Sequence, residues 1–134
     1  MMTEIAYRPL ATDAHGLNEE MQWARIIAAG RPAQGMALIL IQKLCAVFHE
    51  FEPAWRAGAL NEGKLDFFRR RLAARARRVL ATMAMNDLSH IDGVAQLEAL
   101  LRTIESVQSM EELANLAEEI HAVDHRLTDA LEKS

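Results

Sequence analysis

From Leu65 onward, six apolar residues, Leu65, Phe68, Leu72, Ala76, Val79 and Met83, recur at intervals of 3, 4, 4, 3 and 4. Such spacing keeps every one of them on the same side of a cylinder turning once in about 3.6 residues, which only an amphipathic α-helix satisfies. The rhythm returns in Val94, Leu97, Leu101 and Ile104, and again in Leu113, Ile120, Leu127 and Leu131, where Leu116 and Val123 widen the stripe. A further stripe of Leu17, Met21, Ala24 and Ala28 precedes them, and residues 32–51 form the most apolar stretch of the chain. Runs of β-branched residues are few and aromatic residues make up 5% of the chain, so strands find little support.

Punctuation residues divide these stripes into elements. The periodicity predicts a helix over 17–29 closed by Gly30, then a second opened by Pro32 and running to about Phe51, where Pro53 is expected to stop it. Gly58 marks a break, and Asn61 is placed to cap a third helix reaching about Met85. Asp87, Ser89 and Asp92 crowd a turn before the fourth helix. Ser109 followed by Glu112 has the form of a capping box, predicting a fifth helix that carries the last stripe unbroken. The expected fold is all-α, a compact antiparallel bundle of about five helices in one domain over 1–134, with residues 1–12 as an extended leader.

The length of 134 residues suits one domain that buries about two thirds of its unfolded surface. Hydrophobic residues at 51%, charged residues at 25% and three prolines fit a folded globule rather than a linker. Cys45, the single cysteine, cannot form an intramolecular disulfide and lies in an apolar stretch, consistent with a reducing compartment; the cytoplasm is the expected location. Charged and polar residues interrupt the stretch from Met36 to Phe51, so no apolar run is long enough to span a bilayer, and no membrane role is expected.

Charge is distributed unevenly. Residues 56–78 carry eight basic and two acidic side chains, whereas residues 87–134 carry three basic and eleven acidic ones. Six of the basic groups, Arg69, Arg70, Arg71, Arg75, Arg77 and Arg78, belong to the predicted third helix. By its wheel, Arg71, Arg75 and Arg78 flank the apolar stripe on one side, with Arg70 and Arg77 on the other. Two outcomes are open: the arginines meet acidic residues of the later helices, such as Glu105, Glu111, Glu118 or Glu119, or they present a basic surface to an acidic partner. Nucleic acid is the weaker partner class, because the net charge is −4 and Phe67 is the one aromatic placed to stack.

Signals for chemistry are sparse. Glu118, His121 and His125 share helical spacing, as do Cys45, His49 and Glu52, but only one Glu-x-x-His occurs and a di-iron bundle uses two. His125 and Glu118 fall on the polar side of the last helix and His121 nearer its edge, so neither a metal nor another cofactor is expected. There is no glycine-rich phosphate loop, no Cys-x-x-Cys, no His-Glu-x-x-His and no glycine-flanked serine elbow. Cys45 is expected to be an inert core thiol despite His49 one turn away. Asp124 lies near the middle of the last apolar stripe and is expected to be partly buried against a donor from another element, with Arg69 the first candidate. Trp23, Ile26 and Ile27 widen the apolar surface of the 17–29 helix, a face for the rest of the bundle, a second copy in a homodimer or another protein to cover.

These features favour a non-enzymatic adaptor, regulator or chaperone-like protein that binds an acidic protein partner through Arg70, Arg71, Arg75, Arg77 and Arg78. The alternatives are a bundle that holds a metal or cofactor and a nucleic-acid binder.

Overall fold

A computed structural model describes residues 30–134, and the predicted 17–29 helix, with Trp23, Ile26 and Ile27, lies outside them. The described residues form helix α1 (Pro32–Arg56), a 3₁₀ turn (Glu62–Lys64), α2 (Leu65–Met85), α3 (Val94–Ser106), the short α4 (Met110–Ala114) and α5 (Ala117–Lys133), with no strand among them. Helix α1 packs against α2, α5 and α4, α2 against α3, and α3 against α5. The four long helices thus form a closed ring in the order α1, α2, α3, α5, with short connections that reverse the chain and make neighbours antiparallel.

Their apolar faces meet on the ring's axis. Leu72, Val79 and Met83 of α2, Leu97 and Ile104 of α3, and Leu127 and Leu131 of α5 are fully buried. Helix α1 contributes most to this core: Leu38, Ile41, Leu44, Val47, Phe48 and Phe51 are buried, as is Leu40. Phe51 bridges to Phe48, ring centroids 5.3 Å apart, and across the seam to Phe68 of α2 at 5.2 Å. Cys45 is buried on α1 as the stripe implied.

Left-handed residues close the C-terminal ends of α1 and α2, and two boundaries depart from expectation. Pro53 does not end α1, which continues to Arg56. Proline removes one amide donor, and Pro53 is exposed, so the carbonyl it leaves without a helical partner lies where water can reach it. The stop comes at Gly58, whose φ of 77° lets the amides of Gly58 and Ala59 bond back to Trp55 and Ala54. The same closure ends α2 with Asp87 in the left-handed position, φ 57°, and the Leu88 amide on the Met83 carbonyl at 2.8 Å.

The predicted fifth helix is two. Ser109 accepts the Glu112 amide at 3.1 Å as its cap, while the Glu112 carboxylate accepts the amide of Gln108 rather than that of Ser109. The chain then turns at Asn115 and Leu116 before α5 begins. Leu113, Leu116, Ile120, Val123, Leu127 and Leu131 are nevertheless all buried, because the turn keeps both segments on the same core.

Candidate functional site

The arginine helix begins where Asn61 accepts the Gly63 amide at 2.9 Å, starting a 3₁₀ turn that runs into α2. Its apolar stripe enters the core, which fixes the rotation of the helix and sends the arginines to its two shoulders. The shoulder facing α3 is largely engaged. Arg69 donates to the Val107 carbonyl at 2.8 Å, at the end of α3, and pairs with Asp66 at 3.3 Å. Arg77 forms an ion pair with Glu105 of α3, one of the acidic residues that an internal pairing could use. Arg70, 80% exposed, pairs with Asp66 one turn earlier at 3.1 Å.

On the shoulder facing α1, Arg71 meets Glu50 at 2.8 Å and lies over the Phe67 ring, 5.4 Å from its centroid. Glu50 is not among the expected partners, since helical spacing alone does not tell which earlier residue comes opposite Arg71. Arg75 is half-buried and Arg78 exposed, and neither makes an ion pair or side-chain hydrogen bond among the described residues. Glu118 and Glu119 do not receive an arginine of α2, because α5 stands across the ring from α2.

Glu111 is claimed by α1 instead. The Trp55 indole donates to its Oε1 at 3.1 Å and Arg56 to its Oε2 at 2.9 Å, while the same guanidinium reaches Asn115 Oδ1 and Glu52. Hydrogen bonds from Trp55 and then Arg56 lower the pKa of the Glu111 carboxyl, and the bond to Glu111 raises that of Arg56. This cluster fastens α4 to the end of α1.

Asp124 is half-buried, but its bond is to its own helix: the Thr128 hydroxyl donates to Oδ1 at 3.1 Å. Arg69 is committed to Val107 and Asp66. Buried Val123 and half-buried Ala130 draw the packed face of α5 to the other side, leaving Asp124 on its shoulder rather than at its centre.

The two histidine motifs do converge in part. His49 of α1 and His121 of α5 approach with ring centroids 5.4 Å apart at 45°. The other members do not join them: Cys45 is buried, Glu52 is bonded to Arg56, and Glu118 and His125 are exposed. No group of three or more potential ligands occurs among the described residues. No helix among them is long and apolar enough to cross a membrane. Comparison with protein-family models, curated proteins and solved structures finds no match to this chain.

Proposed function

We propose that this protein is a non-enzymatic interaction module of the cytoplasm that binds an acidic segment of another protein through α2. Arg75 and Arg78 are the principal contacts, with Arg71 beside them and Arg70 and Arg77 at the margins. One observation carries this reading: Arg69, Arg70, Arg71 and Arg77 have acidic or carbonyl partners, whereas Arg75 and Arg78 have none among the described residues. Guanidinium groups one turn apart suit a row of carboxylates, which they can hold by forked hydrogen bonds.

The test is Arg75→Glu combined with Arg78→Glu, which leaves the Arg71–Glu50 pair in place. Partners captured from the source lysate by the wild-type protein should be lost, with helicity and thermal midpoint retained. Equal capture by both proteins overturns the reading. Retention on heparin that weakens steeply with salt would instead favour phosphate backbones.

A second reading, metal binding, draws on the His49–His121 approach. Two imidazoles provide half of a tetrahedral shell, so the expected outcome is no stoichiometric metal in untagged protein. Zinc or iron that copurifies and disappears in a His49→Ala, His121→Ala variant would promote this reading.

A further inference from the structure

The α1–α2 seam contains a pattern that neither helix displays alone. Met36, Lys43 and Glu50 lie seven residues apart on α1, and Arg71, Arg78 and Met85 repeat the same step on α2. Positions seven apart nearly superpose along a helix, so each set forms a line. The Glu50–Arg71 bond puts both lines on the seam and sets their register. Because the helices are antiparallel, Lys43 and Arg78 fall in one layer, about 10 Å from that bond, and Met36 and Met85 in the next, about 20 Å from it. Arg75 lies between the first two layers.

These layers have different characters. The first is a closed ion pair. The second sets two cations on the same seam, and neither Lys43 nor Arg78 makes an ion pair or hydrogen bond among the described residues, so both charges remain available to an outside carboxylate. The third is apolar yet open to solvent, Met36 at 49% and Met85 at 83% exposure. Methionine adapts its shape to an incoming apolar side chain, and flanking charge of one sign selects the opposite sign in a partner.

We infer that this seam receives an acidic amphipathic helix from a protein partner, its carboxylates over Lys43, Arg75 and Arg78 and its apolar side chains over Met36 and Met85. This rests on the acidic-partner reading and specifies its ligand. A helix fits because the seam repeats every seven residues, the period a helix lying along it at a small angle would present. The occupied length, from Arg75 to Met85, is about three turns.

The probe is a synthetic helical peptide of that length with glutamates followed by leucines along one stripe, titrated into isotope-labelled full-length protein. Amide shifts should concentrate in residues 36–50 and 71–85. Lys43→Glu should weaken the peptide on the order of tenfold while leaving the protein as stable or more stable, since the new carboxylate would meet Arg78. Met36→Gln with Met85→Gln should weaken it by about fivefold, as should replacing the peptide's leucines with serine.

Shifts confined to another face, or a serine-containing peptide that binds as well as the leucine one, would overturn the inference. So would a concentration-dependent dimer that Lys43→Glu dissolves, which would make a second copy the occupant. If Arg75→Glu, Arg78→Glu loses the cellular partner while Lys43→Glu and the methionine variant keep it, the amphipathic seam falls and the acidic-partner reading survives. If the arginine variant keeps the partner, it is the acidic-partner reading that falls.

Discussion

Gly93 is packed so closely against Leu127 that a Cβ on the glycine would lie 2.9 Å from Leu127 Cγ and 3.1 Å from its backbone nitrogen. Its φ of 103° adds a conformational demand that a side chain meets poorly. Gly93→Ala should therefore cost about 2–4 kcal/mol, through strain and the forced separation of α3 from α5. Gly58 has a comparable φ of 77° but nothing within 4 Å of its virtual Cβ. Gly58→Ala should cost only about 1 kcal/mol. Equal losses in urea denaturation would mean that close packing at Gly93 contributes nothing.

The Glu111 cluster predicts a pH dependence. Hydrogen bonds from Trp55 and Arg56 favour the carboxylate in the folded state and lower its pKa. A depressed folded pKa gives stabilisation that is present above the ordinary glutamate range and is lost as pH falls through that range and below it. Glu111→Gln should therefore be less stable than wild type near neutrality, and the two should converge in acid. Denaturation midpoints measured across that pH range check this; a gap that stays constant or widens in acid contradicts it.

The arginines should separate into two classes. Arg69 reaches the Val107 carbonyl at 2.8 Å and is partly buried, so Arg69→Ala should lose about 1–2 kcal/mol and loosen the link between α3 and α4. Arg75→Ala and Arg78→Ala should stay within about 0.5 kcal/mol of wild type. Thermal melts of the three single variants suffice, and a large loss at Arg78 would assign that side chain a role inside the fold.

At Asp124 the bond to Thr128 is local and half-buried, so Asp124→Ala should cost about 0.5–1.5 kcal/mol. A double-mutant cycle with Thr128→Ala isolates the pair. No coupling would indicate that the hydroxyl is a bystander.

Local patterns made most of the fold legible. The stripe of α2 and the break at Gly58 needed no knowledge of neighbours, because apolar spacing and left-handed glycine act within a few residues. Tertiary relations were harder to read. Glu50 as the partner of Arg71 depends on the register of a hairpin, and Glu111's attachment to Trp55 depends on α4 lying at the end of α1. The division at Asn115 has no proline or glycine to mark it. For the candidate surface, helical spacing revealed the sidedness of the arginines, but which ones find internal partners required knowing that α2 borders α1 and α3 rather than α5. Lys43 is a mere interruption of an apolar run until Arg78 comes into its layer.

Cys45, buried on the helix that touches most of the others, gives the molecule a clock. A thiol reagent reaches it only when the packing around it opens, so the modification rate follows the population of the open state multiplied by the thiol's own reactivity, and the opening rate alone where the reagent outpaces reclosing. A ligand that spans the α1–α2 seam would slow the clock from the opposite side of the helix, without touching the thiol at all.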